Sequence, residues 1–400
     1  MPLLRAAVAA AAAGAAAACF SQNVSYSLTA TRLRSPNTST GAVICGRPPP
    51  AGSRAPLNYC SSAGVCCTEA TRNSNFTFNY NPAWIPLPGG RDGLMVRVAD
   101  PVPGAPSPWF DYGYSRFAVV ERVGDGESLV FENVTDDKVV FVDTPDTEDP
   151  YVVFDGTSTY YLFYTAVATN SRGVKTNSSM RLAINSGDPR RPADWVKQGN
   201  VFPQLIGVYG KTCCGGLLLG QDVPGGDGYS YLFSGCTESE CSNPGILIAR
   251  TRTPAVVASY ELLNKTLLRV RPGMWDSEQL EGGPAPLQLS DGNWLYLYDT
   301  FIGGSVSAGR VGWAVLSLAD PTQVIARADA PLLSPDDADA FIWEREGLTR
   351  NGLFLNGIMR TPGTTVADND FTVFYGGADT SVGASRVKVA ISAIPAQRGP

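Results

Sequence analysis

Histidine is absent from all 400 residues of the chain. Its absence excludes serine and cysteine nucleophiles activated by an imidazole, metal sites built on imidazole ligands, and imidazole acid–base catalysis. Any catalysis must therefore depend on carboxylates, tyrosine, lysine or thiols.

Positive charge is also scarce. The chain has 31 Lys and Arg against 37 Asp and Glu, a net charge of −6 and a pI near 4.9. Such a surface does not attract nucleic-acid phosphates or anionic lipids. Beyond the N-terminus, no apolar run approaches the roughly 18 residues of a membrane span. We therefore predict no nucleic-acid or membrane partner and expect neutral partners, while the oligomeric state stays open.

The N-terminus has the layout of a secretory signal peptide. Met1 and Arg5 precede an alanine-rich run that ends at Ala18, so residues 1–19 are interpreted as the signal. A chloroplast-type transit peptide is the alternative, although it would contain more Ser and Arg. We predict a secreted protein of the secretory pathway that is N-glycosylated, because six Asn-x-Ser/Thr sequons follow. They begin at Asn23, Asn37, Asn75, Asn133, Asn177 and Asn264.

Nine cysteines fit an oxidising compartment, and eight remain if Cys19 is removed with the signal. They form an N-terminal and a mid-chain group, which predicts two local disulfide clusters. Zinc is the alternative, but adjacent thiols rarely both bind one tetrahedral ion and no histidine completes a mixed set. We predict no metal. The groups are Cys45, Cys60, Cys66 and Cys67, then Cys213, Cys214, Cys236 and Cys241.

A turn containing Asp-Gly or a near equivalent, followed by a dense β-forming run, recurs five times. The turn residue supplies a positive φ, and the aromatic and aliphatic run suits a strand covered on both faces. Five such units separated by short β-prone pieces predict an all-β, five-bladed β-propeller over residues 79–393. A β-sandwich is the alternative. Residues 20–78 are predicted to be an irregular, disulfide-tied, glycosylated segment. The copies are RDGLMVRVAD (91–100), FDGTSTYYLFYTA (154–166), GDGYSYLFSGC (226–236), SDGNWLYLYDT (290–300) and DNDFTVFYGGAD (368–379).

Several motifs, in order, resemble those of glycoside hydrolase family 130, the five-bladed propellers known as β-mannoside phosphorylases and β-mannosidases. Two positions depart from the family pattern: Tyr151 stands where Arg is usual, and Asp299 stands where His is usual. The motifs are NPAW (81–84), LMVRVAD (94–100), YSRF (114–117), EDPYVVFDGTSTYYLFYTA (148–166), MWDSEQLEGGPAPL (274–287), GWAVLSLADPTQVIARADAPLLSP (312–335), RNGLFLNGI (350–358) and FYGGADTSVG (374–383).

Cleavage of a glycosidic bond commonly requires two carboxyl groups in unlike environments. Burial at the floor of a propeller funnel raises a carboxyl pKa toward the working pH, as a general acid requires. The resemblance places the family's proton donor at Asp149, next to Glu148; the alternative is that both only accept hydrogen bonds in a turn before Pro150. Glu281 and Asp276 are the candidates for the second carboxyl, although Glu281 could equally lie on a solvated loop.

Further residues are candidates for substrate binding. Arginine and carboxylate side chains form paired hydrogen bonds to vicinal hydroxyls, and an aromatic ring can lie under a sugar. The resemblance suggests Lys211 as a phosphate ligand, while an anion at Asp299 would repel phosphate. The sugar-binding candidates could instead bridge two blades; these are Arg97, Arg116 and Asp379, with Trp275 or Tyr114 as the aromatic. The substrate-binding candidates are Arg97, Ser115, Arg116, Glu148, Lys211, Trp275, Asp276, Asp299 and Asp379, with Tyr114 as an alternative aromatic.

The resemblance and the carboxylate-only chemistry together predict a secreted glycoside hydrolase that cleaves β-mannosides or related glycans with inversion. The partner that the resemblance implies is an oligosaccharide or glycan substrate. A β-mannoside phosphorylase and a non-catalytic carbohydrate-binding propeller are the alternatives. No cofactor is expected, and inorganic phosphate would be a co-substrate only in the phosphorylase.

Overall fold

The five repeats become five antiparallel sheets in the computed structural model of the protein. Within the part of the chain that the structure describes, no helix is long and apolar enough to cross a membrane. The described residues are 24–38, 40–48, 67–68, 70–101, 114–124, 126–143, 146–169, 175–203, 215–236, 245–302 and 309–393.

Each sheet is one blade, and its innermost strand comes first in the chain in blades 1 to 4. Blade 1 consists of β3 (Phe78–Leu87), β4 (Arg91–Ala99), β5 (Arg116–Glu121) and β6 (Val139–Phe141). Blade 2 consists of β7 (Asp146–Phe154), β8 (Tyr160–Thr169), β9 (Lys175–Asn185) and β10 (Trp195–Asn200). Blade 3 consists of β11 (Leu217–Leu218), β12 (Ser230–Cys236), β13 (Gly245–Thr251) and β14 (Glu261–Arg269).

Blades 4 and 5 have an additional short strand each. Blade 4 consists of β15 (Gln279–Gly282), β16 (Leu287–Gln288), β17 (Trp294–Phe301), β18 (Arg310–Leu316) and β19 (Val324–Arg327). Blade 5 consists of β20 (Leu353–Arg360), β21 (Asp370–Gly377), β22 (Ser381–Ala393), β1 (Val24–Leu33) and β2 (Ile44–Cys45). Helical structure in the described residues is limited to α1 (Ile342–Arg345) and single 3-10 turns.

Every copy of the repeat supplies the second strand of a blade, so the predicted five-bladed propeller is confirmed. The turn before that strand lies within the copy except in the first one, where residues 88–90 form the turn and Asp92-Gly93 lies in β4. Gly156, Gly228 and Gly292 have the positive φ expected of the Asp-Gly turn. In the last copy Asn369 takes this conformation with φ 47°. The second strands of blades 4 and 5, β17 and β21, are buried at every position, because neighbouring blades cover both faces of each sheet.

The N-terminal boundary differs from the prediction that residues 20–78 stand apart from the propeller. Strand β1 pairs with β22 from Val24 opposite Ala393 to Leu33 opposite Ala384, and it forms the outer edge of blade 5. The ring is thus closed by strands from both ends of the chain. Sequence analysis missed β1 because an outer strand is half exposed, and its Ser- and Thr-rich alternation has the composition of a loop.

One predicted disulfide cluster is represented in the described residues. Cys45 and Cys67 are bonded, with Cα atoms 5.8 Å apart, and both are buried. Cys60, Cys66, Cys213, Cys214 and Cys241 lie outside the described residues, as does the side chain of Cys236.

Aromatic and aliphatic side chains fill the spaces between blades. Between blades 1 and 2, Phe117, Phe141 and Tyr164 form edge-to-face and stacked pairs with ring centroids 4.9 to 6.4 Å apart. Each such pair contributes about 0.5–1.5 kcal/mol beyond the burial of its area. This packing holds the innermost strands at fixed positions around the axis.

One end of the axis is an apolar cavity of about 270 Å³. All five blades line it near the ends of their innermost strands, through Trp84, Val152, Leu217, Pro286 and Ile358 among others. The starts of the same strands lie at the opposite end of the axis. We call that opposite end the carboxyl end, because Asp149 and Glu281 lie there.

Candidate active site

Two innermost strands carry the same irregularity at the carboxyl end. The register of β3 skips between Tyr80 and Ala83, and that of β7 skips between Glu148 and Tyr151. The bulged residues Asn81 and Asp149 have positive φ values of 48° and 54°. Asn and Asp tolerate this conformation better than other side chains. The bulges aim two polar side chains of neighbouring blades at each other.

The side chain of Asp149 is held by donors from blade 1. Asn81 Nδ2 and Arg97 Nη1 both donate to Asp149 Oδ1, the latter over 3.1 Å. Asp149 is 3% exposed. Pro82 and Pro150 follow the two bulged residues and have no N–H to satisfy there. The direction of the Asp149 carboxyl is therefore fixed by two side chains and a rigid bulge.

Arg97 is the centre of this hydrogen-bond network. Its Nη2 lies 2.9 Å from Glu148 Oε1, and its Nε donates to Ser115 Oγ over 2.9 Å. The guanidinium carbon lies 4.4 Å from the centroid of the Tyr80 ring. Burial opposes the positive charge, but Glu148, Tyr80 and Asp149 outweigh it and hold the pKa of Arg97 well above its usual range. Arg97 is charged at any working pH.

Ser115 connects Arg97 to a third carboxyl of the same region. Its hydroxyl and its backbone N–H both donate to Asp146 Oδ1, the N–H over 2.7 Å. Ser115 is buried and has no contact surface for a sugar. The sequence predicted Ser115 as a substrate-binding residue, and its contacts are instead those of a side chain that orients Arg97.

Blade 4 contributes two more carboxyls. Glu281 on β15 lies directly opposite Asp299 on β17 in the antiparallel register. Both are buried, and Asp299 Oδ2 accepts the backbone N–H of Leu355 over 2.9 Å. Burial, with the charges of Glu281 and Asp149, outweighs this hydrogen bond and holds the pKa of Asp299 well above its usual range. Asp299 therefore favours its protonated form.

Tyr151 shows that these carboxyls converge. Its hydroxyl donates to the carbonyl of Gly282 in blade 4 over 2.9 Å and lies 3.5 Å from the carbonyl of Leu355 in blade 5. Burial and the charges of Asp299, Asp149 and Glu281 raise its pKa well above the usual range. One phenol thus interacts with all three carboxyls from across the axis. It also separates them from the apolar cavity, which begins at the next residue of β7.

Asp276 and Trp275 lie in a separate network of blade 4. Asp276 is fully buried and forms ion pairs with Arg271 and Arg327 at 2.8 and 2.5 Å, and it also accepts the Tyr298 hydroxyl. Trp275 stacks on Tyr298 with ring centroids 6.0 Å apart. These contacts occupy Asp276 as an internal bridge of the blade. Glu281 is therefore the candidate for the second carboxyl that the structure places near Asp149.

The remaining predicted residues lie at different distances from the network. Asp379 is half-buried with φ 55°, and its charge acts on Tyr80, which stacks with Arg97. Arg116 lies 3.7 Å from Asp136 and 5.0 Å from the Phe76 ring, at a half-exposed edge. Tyr114 is 56% exposed. Lys211 lies outside the described residues.

Asn81, Tyr80 and Asp146 belong to the site but were missed by sequence analysis. One signal could have revealed Asn81: Asn81-Pro82 and Asp149-Pro150 are matching dipeptides in the first strands of adjacent blades. Among the residues that the structure describes, no cluster of three or more Cys, Asp or Glu side chains could hold a metal ion.

Comparison with known proteins identifies relatives. The glycoside hydrolase 130 family model, described as beta-1,4-mannooligosaccharide phosphorylase, matches residues 120–391. The chain is 35% identical over 120 residues to the 1,2-beta-oligomannan phosphorylase of Thermoanaerobacter sp. (strain X514), which is 30% of this chain and 36% of that protein. It is 34% identical over 128 residues to the beta-1,2-mannobiose phosphorylase of Listeria innocua serovar 6a, which is 32% of each chain. The match spans about a third of the length of these curated relatives.

Solved structures share the propeller. The Listeria innocua beta-1,2-mannobiose phosphorylase in complex with beta-1,2-mannobiose superposes with a TM-score of 0.54 at 20% identity, covering 79% of this chain and 90% of that chain. A structure from Bacteroides ovatus ATCC 8483 has a TM-score of 0.60 at 18% identity and covers 89% of this chain and 96% of that chain. At these identities the likeness shows the fold alone.

Proposed function

The chain belongs to the glycoside hydrolase 130 family, and from this premise we propose that it cleaves β-mannosidic bonds, with Asp149 as proton donor and inorganic phosphate as acceptor. The observation that carries the proposal is the convergence of Asp149 and Glu281 around Tyr151, where Asp149 is fixed by Asn81 and Arg97. The sequence favoured hydrolysis. Phosphorolysis is placed first because the matched family model and the relatives named above are described as phosphorylases.

The chemistry needs one proton and one nucleophile. The proton passes to the glycosidic oxygen as the bond from that oxygen to the anomeric carbon breaks. A phosphate oxygen attacks the anomeric carbon from the opposite face, so the configuration inverts. The products are a mannose 1-phosphate and a sugar shortened by one unit. Because Asn81 and Arg97 hold Asp149 in one orientation, little reorganisation is needed when the proton moves.

Hydrolysis is the second candidate, and one observation favours it. Asp299 and Glu281 form an acidic pair, and no arginine or lysine among the described residues forms an ion pair with Asp299. A carboxylate in that position suits the activation of a water molecule, whereas an anionic phosphate would be repelled. In this reaction water replaces phosphate, and free mannose is the product.

The test is incubation with β-1,2-mannobiose and β-1,4-mannobiose, with and without inorganic phosphate, while mannose and mannose 1-phosphate are quantified. Turnover that requires phosphate and yields the sugar phosphate supports phosphorolysis; equal release of mannose without phosphate supports hydrolysis. No product in either condition, together with glycan binding, would identify a carbohydrate-binding propeller instead.

Asp149→Asn should lower kcat by about 10²-fold or more, because a general acid contributes at least this much. Asp222→Asn is the matched control. Asp222 lines the apolar cavity at the other end of the axis. Equal turnover of the two variants would reject Asp149 as proton donor.

We also infer that the protein is secreted and N-glycosylated. The sequon residues Asn37, Asn75, Asn133 and Asn264 are exposed, and a disulfide joins Cys45 to Cys67. Both features suit the secretory pathway. Mass spectrometry of the protein from its native source, before and after enzymatic removal of N-glycans, should show glycans at these sites. An unmodified mass would reject this inference.

A further inference from the structure

Asp299 and Glu281 have a geometry that couples their protonation. They are directly opposite on β17 and β15, and side chains opposite each other in an antiparallel pair lie on the same face with Cβ atoms about 5 Å apart. Asp299 is 2% exposed and Glu281 is 8% exposed. Water therefore screens neither carboxyl effectively, and their mutual repulsion is strong if both are ionised.

The hydrogen bonds of Asp299 are incomplete. Its Oδ2 accepts the N–H of Leu355, but its Oδ1 is buried with no hydrogen-bond partner. A buried carboxylate oxygen without a donor is costly, whereas a protonated Oδ1 becomes a donor itself. The pattern of one accepting oxygen and one free oxygen suits a neutral carboxylic acid.

In the described part of the chain, the groups that face Asp299 come from several elements, and none of these groups is basic. Strand β15 contributes Glu281, strand β7 contributes Asp149 and Tyr151, and β17 itself contributes Tyr296. The residue opposite Asp299 on β18 is apolar, and β20 contributes only the Leu355 backbone. Arg97, the cation of the network described above, is paired with Asp149 and Glu148. Within the described residues, Asp299 is thus surrounded by acids and phenols.

We propose that Glu281 and Asp299 act as a single acid–base unit that shares one proton in the resting protein, with Asp299 holding the proton and Glu281 carrying the charge. Asp299 is a positioning residue in this unit, because it acts through Glu281. The inference rests on the hydrolytic candidate of the proposed function and deepens it: the base that takes a proton from the attacking water is a carboxyl pair. When Glu281 accepts a proton from the attacking water, the pair holds two protons. After product release the pair loses one proton to solvent, and Asp149, which gave its proton to the leaving sugar, takes one up.

The experiment is an infrared titration of the full-length protein from about pH 5 to about pH 9, following the C=O stretch of protonated carboxylic acids. The band of Asp299 is identified by subtracting the infrared spectrum of Asp299→Asn from that of the wild type. It should be present at neutral pH. The same band is obtained without Glu281 by subtracting the spectrum of the Glu281→Gln/Asp299→Asn double variant from that of Glu281→Gln. Its titration midpoint should lie about one pH unit or more below the wild-type midpoint, because the neighbouring charge is gone.

Asp222→Asn is again the control. Asp222 lies at the other end of the axis, so its substitution should leave the Asp299 band and its midpoint unchanged. The absence of an Asp299 band at neutral pH, or the same midpoint with and without Glu281, would overturn the proposal.

A kinetic measurement adds a second readout. If the pair is the acid–base unit, the alkaline limb of the pH profile of kcat should reflect two ionisations in the wild type, that of Asp149 and the loss of the shared proton, and only that of Asp149 in Asp299→Asn, so the limb becomes less steep. A purely structural role would lower kcat equally at every pH. An unchanged alkaline limb counts against the shared proton. A wild type without turnover counts against the proposed function alone, since the infrared titration does not depend on turnover.

Discussion

Arg97→Met should destabilise the propeller by about 3–5 kcal/mol, because it removes the cation that is paired with two buried acidic side chains. Arg97 is 6% exposed, and its guanidinium lies 2.9 Å from Glu148 and 3.1 Å from Asp149. Its contact with the Tyr80 ring adds about 1 kcal/mol. Methionine retains most of the buried apolar stem, so the loss reports mainly on the charge.

The same reasoning predicts a rescue. If the cost comes from unpaired charge, removal of both carboxylate charges in Arg97→Met/Glu148→Gln/Asp149→Asn should recover most of the lost stability, because neutral replacement of a whole buried ion pair is often neutral or stabilising. The triple variant should nevertheless be inactive, because it lacks the Asp149 proton donor.

Urea unfolding followed by tryptophan fluorescence measures these differences. Arg91→Met is a matched control, since Arg91 forms an exposed ion pair with Glu121 and should cost less than about 1 kcal/mol. The reasoning is refuted if Arg97→Met costs no more than Arg91→Met, or if the triple variant is no more stable than Arg97→Met.

Two further predictions concern stability. Folded Asp299 keeps a proton that the unfolded chain loses above about pH 3.9. The free energy of unfolding should therefore fall with rising pH by about 1.4 kcal/mol per pH unit from this group until its folded pKa is reached. Asp299→Asn should remove that slope in urea unfolding, and parallel curves of stability against pH for the wild type and the variant would contradict this. Removal of residues 24–33 should lower the free energy of unfolding by at least about 3 kcal/mol. The deletion exposes the β22 edge and removes Arg32, whose Nη2 lies 2.9 Å from the fully buried Glu344. An unchanged thermal midpoint of unfolding would contradict this.

Much of the fold could be read from local chemistry. A tight turn followed by a strand buried on both faces leaves a strong pattern, and its fivefold recurrence gave the blade number. Strand β1 left a weaker pattern, because one of its faces is exposed and its partner β22 lies at the other end of the chain. A long-range pairing of this kind depends on ring closure, which no local window of sequence contains.

The candidate site was predictable only in part. Asp149 was found through its Glu-Asp-Pro motif, and Glu281 was one of two open candidates. Asp276 could not be separated from Glu281, because both are acids in one short segment. The distinction depends on Arg327, which lies far along the chain but forms an ion pair with Asp276 in the folded blade.

The sequence by itself determined which chemistry is available. With no histidine, acid–base catalysis must use carboxyls or phenols, and the five turn-and-strand units fix the propeller. Only the tertiary structure decided which acids meet and in which protonation state. Asp149, Glu281 and Asp299 belong to different strands of two blades, and Tyr151 joins them across the axis. The charge of each carboxyl depends on its burial and its neighbours, and these are properties of the assembled ring.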